Sequence, residues 1–414
     1  MNRRDFISAA ASAASLAALA PAATFLARAA EPRVAPAERR KLVIVLFGGG
    51  TRCAETMDDP GHRFIPRLWN EMVPHGTLFT NMRVNGKVVH PNSAGSIMTG
   101  HWEWADLDWS HPVDHPTVFE LFRKASGRLD TAAWAFVYAS ILAKTGESRA
   151  TGYGHDYVAN VVEPPTIPRA TAERMDGMIR EAAARGDDKA EHRAAADAAD
   201  LVRATSRIAR SGLRSPEARQ FLDERFAAWQ QAGGTTSHDA FLTDCALACM
   251  ERFTPDVLFA AFGEIDCAHY GSWSRYADAI RRTDELTWQL WKAASELPAY
   301  RERTLFLVLP DHGRELDSTG GAGFIHHSDF YTDAAVDEGC RRVWMLALGP
   351  DVPVRRTIET ATPITTVAAT GLEFLGLKAS PGAADSIWPS LRGHSRQKSR
   401  FHSSSLNRLC TQST

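Results

Sequence analysis

Short apolar strands alternating with helical stretches predict an α/β fold, a large, mostly parallel, doubly wound sheet with helices on both faces. Three observations carry that expectation. Lys41–Phe47 and Leu305–Leu309 are nearly continuous apolar runs of strand length, as expected of strands buried on both faces. Each ends in a turn signal, Gly48-Gly49-Gly50 after the first and Pro310-Asp311-His312-Gly313 after the second. Between them, residues 171–252 are rich in Ala, Glu, Arg and Asp at amphipathic spacing.

Taken in order, Lys41–Phe47 is the opening core strand, and Ala132–Val137 is a second, followed by a turn-rich span to Pro168. The helical block from Thr171 to Arg252 is broken at Gly233-Gly234 and reads as a helical insertion around residues 150–250. Strands resume at Val257–Phe262, Thr304–Leu309 and Arg342–Leu348. The stretch Ala361–Gly376 reads as a helix closed by its terminal glycine. Residues 392–414 are rich in Ser and Arg without periodicity and read as a disordered tail.

The N-terminus reads as an export signal. Arg3-Arg4-Asp5-Phe6-Ile7 matches the twin-arginine pattern, an Ala-rich apolar stretch runs to Leu26, and Ala27-Arg28-Ala29 offers a small-x-small cleavage site. This expectation assigns residues 1–29 to a signal peptide, 30–40 to a linker and 41–391 to one catalytic domain. It makes the twin-arginine export machinery a partner and the periplasm or exterior the destination. The mature chain then carries no membrane span, because no other segment holds about 20 consecutive apolar residues.

With 414 residues, 44% of them hydrophobic, the chain can bury a large core. A net charge of −2 gives no electrostatic case for nucleic acid or an anionic membrane surface as partner. The six cysteines form no C-x-x-C pairs, so a structural zinc site is disfavoured and buried free thiols are expected.

The chemistry concentrates where strands end. In open α/β sheets the ligand crevice lies beyond the carboxyl ends of the strands. Asp311-His312 leave one core strand there; Asp266 and His269 follow another at a spacing of three; His326 and His327 follow a Gly-rich turn. Mixed carboxylate and imidazole ligands suit one or two divalent ions, zinc first, with manganese, iron or calcium as alternatives.

On these motifs the stretch from Lys41 to Gly376 resembles the alkaline phosphatase superfamily of metallohydrolases, which includes phosphatases and sulfatases. The resemblance implies the alkaline-phosphatase-like three-layer fold. It also implies that Asp266, His269 and one of the twin histidines, His327 rather than His326, hold a first metal, and that Asp311 and His312 hold a second. Ser96-Ile97-Met98-Thr99-Gly100 resembles the helix segment after the family's nucleophile. Two places depart from the pattern. The family's first strand ends in a metal-binding Asp, and here that place reads Phe47-Gly48-Gly49-Gly50-Thr51. Counting ten residues back from Gly100, where the nucleophile belongs, reaches His90 in Val89-His90-Pro91-Asn92-Ser93. No Cys-x-Pro-x-Arg sulfatase motif is present.

Three readings of His90 stand side by side. It attacks phosphorus and forms a phosphohistidine; it takes the missing ligand place, with water as nucleophile and Ser93 or Thr51 in support; or the second metal is weak and one ion remains. Gly49 and Gly50 offer backbone N–H groups, and Arg52 a guanidinium, for an anionic oxygen of the substrate. The functional expectation is an exported metal-dependent hydrolase of small anionic phosphate or sulfate esters. The alternatives are a degenerate family member that binds a ligand in the periplasm, and a phosphoryl transferase or mutase using His90.

Overall fold

The computed structural model describes residues 39–104, 111–186, 188–233, 237–317, 322–327 and 337–392. The expected signal peptide, most of the linker and all but the first residue of the expected tail lie outside the described residues. A nine-stranded sheet organises the body. Its strands are β1 (Lys41–Leu46), β2 (Gly76–Arg83), β3 (Ala133–Val137), β4 (Asn160–Val162), β5 (Val257–Ala261), β6 (Thr304–Leu309), β7 (Arg342–Leu348), β8 (Arg356–Ile358) and β9 (Thr362–Pro363). They lie in the order β4-β3-β5-β1-β6-β7-β2-β8, with β9 also paired to β2. Only β7 runs against the rest, antiparallel to both β6 and β2.

The helices that matter to the site are α1 (His90–Thr99), α2 (Val118–Ser126), α3 (Arg169–Arg185), α4 (Asp188–Thr205), α5 (Pro216–Gln231), α6 (His238–Arg252), α7 (Trp273–Glu296) and α8 (Thr366–Phe374). Alternation along the central strands divides the core in two. Val43 and Val45 of β1, with Phe306 and Val308 of β6, face one cluster built with Phe221, Leu242 and Ile280 of α5, α6 and α7. Leu42, Ile44 and Leu46, with Leu305, Leu307 and Leu309, face another built with Ile97, Phe119 and Leu372 of α1, α2 and α8. The result is three layers, helices over sheet over helices, as the sequence predicts.

The helical block resolves into two parts. α3 and α4 pack chiefly on each other and expose most of their surface. α5 and α6, by contrast, supply buried residues to the main core, and α6 leads directly into β5. The expected insertion is thus half outgrowth and half core layer. β2 and β4 are strands that the sequence reading passes over, since Gly76–Arg83 carries polar residues among its apolar ones and Asn160–Val162 has three residues. The five cysteines among the described residues behave as expected: Cys53, Cys245, Cys249, Cys267 and Cys340 are free thiols, all buried but the half-buried Cys267, and Cys410 lies outside the described residues. Among the described residues no helix is long and apolar enough to cross a membrane.

Candidate metal centre

Backbone ladders carry β1, β5 and β6 in register to one edge, where Phe47 N donates to Leu309 O at 2.8 Å and Phe262 N to Leu46 O at 3.2 Å. The approach there is close. A Cβ at Gly48 would lie 2.1 Å from the Phe262 carbonyl oxygen, so only glycine fits between the ends of β1 and β5. From β5 the chain enters a 3-10 turn, Glu264–Tyr270, which carries Asp266 and His269. β6 delivers Asp311 and His312 directly. α1 begins at the same edge with His90 as its first residue, followed by Pro91, whose missing N–H costs nothing in a first turn. The short turn Gly323–Ile325 brings in His327.

These segments place His90, His312 and His327 together, with one ligand atom from each within 4.8 Å of the others. All three side chains are buried, at 5%, 0% and 0% exposure. In every one Nδ1 already faces an acceptor. His90 Nδ1 lies 2.6 Å from Asp311 Oδ2, His312 Nδ1 lies 2.9 Å from the Gly313 carbonyl, and His327 Nδ1 lies 3.2 Å from the Val88 carbonyl. An imidazole that donates from Nδ1 presents its Nε2 lone pair outward, the arrangement that fixes a metal-binding tautomer. The Nε2 atoms of His90 and His312 are buried with no hydrogen-bond partner among the described residues. His90 Nε2 is 3.2 Å from Asp266 Oδ1, yet off the axis of a hydrogen bond.

Electrostatics separates the three rings. Burial pushes His312 down to about 4 and His327 well below the ordinary imidazole value, so both present neutral lone pairs. Burial acts the same way on His90, but Asp311 and Asp266 overcome it and raise that ring to about 9. A proton therefore occupies His90 whenever no other cation does. Burial would raise Asp311, but His312 and His90 hold it at about 2. A divalent cation would fit this set: it would take the lone pairs of the three imidazoles and balance the Asp311 carboxylate behind them.

A second triad, Asp266, His269 and His327, shares the last imidazole. It is more open, with Asp266 and His269 side chains 31% and 33% exposed, and His269 Nε2 stands 3.1 Å from Asp266 Oδ1. That same oxygen accepts from Arg314 Nη2 at 2.6 Å. The Arg314 side chain is fully buried, and its guanidinium also donates to the carbonyls of Gly50 (2.7 Å), Gly49 (2.6 Å) and Ile325 (3.1 Å). Although burial opposes it, Asp266 is held far below the usual carboxylate range by His269, His90 and Arg314.

The remaining candidates from the sequence fall elsewhere. His326 is exposed and belongs to neither triad, because the extended backbone at the end of the turn alternates the twin side chains outward and inward. The Arg52 guanidinium is committed to Glu55, to Asp317 at 3.0 Å and to the Glu315 carbonyl at 2.9 Å. Those bonds tie together the loops that carry Glu55, Glu315 and Asp317. Thr51 Oγ1 donates to Phe47 O at 3.0 Å and Ser93 Oγ to Lys87 O at 3.3 Å, so both hydroxyls serve local backbone. Gly50 N donates to Asp311 Oδ1 at 3.3 Å, and the Gly49 and Gly50 carbonyls bind Arg314. The glycine turn thus holds the protein's own groups.

Three residues absent from the sequence reading stand in or behind the site. Arg314 directly follows the Asp-His-Gly motif. Tyr138 is the first residue after β3, its ring 6.1 Å from that of His90, and its hydroxyl is buried with no partner among the described residues. Burial, and then Asp266 and Asp311, raise that phenol well above its ordinary value, so it keeps its proton. Asp239 of α6 accepts from the Gly263 and Glu264 amides at 3.0 Å and anchors the turn that carries Asp266. Position at a strand end signals Tyr138 and Arg314; nothing in the sequence near Asp239 points to the site.

No protein-family model matches the chain, and no curated protein matches it significantly. Solved structures do resemble it. The crystal structure of Ps i-CgsB in complex with k-i-k-neocarrahexaose superposes with a TM-score of 0.54 at 13% identity, covering 85% of this chain and 76% of that one. A 2-O GAG sulfatase, BT1596, gives 0.53 at 13%, covering 87% and 76%. The phosphonate monoester hydrolase of Agrobacterium radiobacter gives 0.50 at 13%, covering 87% and 78%. The sheet order, the three layers and these superpositions agree, and the chain has the alkaline phosphatase/sulfatase-like fold.

Proposed function

We propose that the protein is an exported, metal-dependent hydrolase of small sulfate or phosphate esters. The observation that carries the reading is the convergence of His90, His312 and His327, each with Nδ1 turned to an acceptor and all buried at one strand-end edge. Three imidazoles favour zinc over the harder calcium or magnesium. A zinc ion bound there supplies positive charge that draws electron density from a sulfuryl or phosphoryl oxygen.

The chain's own groups then have definite tasks. Asp311 fixes the His90 ring through Nδ1, and the convergence of that ring with His312 and His327 favours His90 as a ligand over His90 as a nucleophile. Water is accordingly the nucleophile. Tyr138 keeps its phenolic proton and donates it as a hydrogen bond to an ester oxygen entering beside His90. Asp266 and His269, on the open side, meet the ester as it arrives. The ester class is supported by neighbours described as a sulfatase and a phosphonate monoester hydrolase. Export is supported by Arg3-Arg4 and the apolar stretch behind them.

Turnover of 4-nitrophenyl sulfate and 4-nitrophenyl phosphate, with zinc titrated into chelator-treated protein, tests the reading. Zinc-dependent release of nitrophenol from either ester is expected. Full turnover by a folded His90→Ala variant, or none by zinc-loaded wild type on a panel of aryl and sugar esters, would sink it.

A further inference from the structure

We infer that Arg314 is a built-in cation that closes the second ion seat. The site then takes one divalent ion, on His90, His312 and His327, and Asp266 keeps a guanidinium as its counter-charge. The inference rests on the metal-dependent reading above and deepens it.

Two triads offer themselves to an ion, yet they are not equivalent. Only the second contains a carboxylate, and Asp266 Oδ1 already has a guanidinium nitrogen at 2.6 Å. An ion seated there would have to share that oxygen with a fixed positive charge. Arg314 cannot step aside easily. Its side chain is fully buried, and Nε, Nη1 and Nη2 are each tied to a backbone carbonyl, of Gly50, Ile325 and Gly49. Swinging away would leave a charged fork and three carbonyls unsatisfied in the interior. The glycine turn that receives the guanidinium is the turn that lacks a carboxylate, so nothing there competes for it.

His327 enforces the same asymmetry. Its Nδ1 faces the Val88 carbonyl, which leaves Nε2 as the single ligand atom for whichever ion is bound. The Arg314 bond to the Ile325 carbonyl also pins the turn that carries His327. Arg314 is therefore a positioning residue. It orients Asp266 and His327 and need not touch the ester.

Calorimetry and elemental analysis of the full chain, with zinc chloride as the only ligand, test this without any substrate. Wild type is expected to bind one equivalent. Arg314→Gln, which releases Asp266, is expected to bind a second, weaker equivalent that adding His269→Ala removes; Arg314→Lys, which keeps the charge, is expected to stay at one. Two equivalents in wild type, or one in a folded Arg314→Gln chain, overturn the inference and leave the hydrolase reading standing. Since a buried arginine is hard to replace, His269→Ala alone is the independent arm. A change in zinc affinity of less than threefold is expected, and a tenfold loss overturns the inference. No binding at all by wild type overturns the metal-dependent reading itself.

Discussion

The two triads around His327 share one imidazole and differ in almost everything else. His90 and His312 are closed off from solvent, and a carboxylate or carbonyl behind each ring sets its tautomer. Asp266 and His269 are each about a third exposed and are held by charge. The difference teaches that proximity of donors does not by itself make an ion site. Lone pairs must be presented with no fixed cation in the way, and in the closed triad the competitor is an exchangeable proton on His90. The open one is neutralised from within by Arg314.

The sharpest way to break this comparison is to remove a closed-side ligand. His312→Ala deletes a fully buried imidazole, and zinc affinity is expected to fall by more than about 100-fold, with ester turnover falling alongside. Calorimetry and initial rates report both, and an unchanged affinity would mean that the open triad is the seat.

Next in size is the support behind the ring. Asp311→Asn keeps the shape but weakens the acceptor at His90 Nδ1, and about a 10- to 100-fold loss of zinc affinity is expected. A loss below threefold would show that the carboxylate does not set the tautomer.

Asp239 probes the open side through its anchor. Burial, and then Glu264, raise its carboxyl to about 7, well above the ordinary value. The folded chain therefore holds that proton more tightly than the unfolded one. This contribution to stability is fully present below about pH 4 and is lost as the pH rises through about 7, by on the order of 4 kcal/mol. Asp239→Asn has no such proton to lose, so urea denaturation at pH 4.5 and 8 should show wild type losing stability relative to the variant as pH rises. A wild type that gains on the variant contradicts the assignment. The smallest effect is expected at the outward twin: His326→Ala should leave zinc affinity and turnover within twofold, which the same assays check.

Much of this architecture is legible in the sequence because buried parallel strands are written as apolar runs. β1, β3, β5, β6 and β7 all fall within a residue of the runs that predict them. Asp266, His269, Asp311, His312 and His327 are legible as well, since they leave such strands or their neighbouring turn. What escapes is set by packing between distant segments. β2 pairs with β7, β8 and β9 through backbone bonds that no side-chain pattern announces. The fate of a charged residue is equally hidden. Arg52 and Arg314 each follow a strand-end motif, yet one is absorbed by Glu55 and Asp317 while the other enters the site. His90 is legible only as a displaced position; its role emerges when α1 sets its first residue beside Asp311.

The contact at Gly48 bears on where this chain can go from here. With the Phe262 carbonyl 2.1 Å from where a Cβ would stand, no side chain can be added at that strand end without parting β1 from β5. A single codon change there cannot install an acidic side chain. The glycine turn thus works as a ratchet: a lineage or a designer seeking a side chain at that strand end must first rebuild the seam between two central strands.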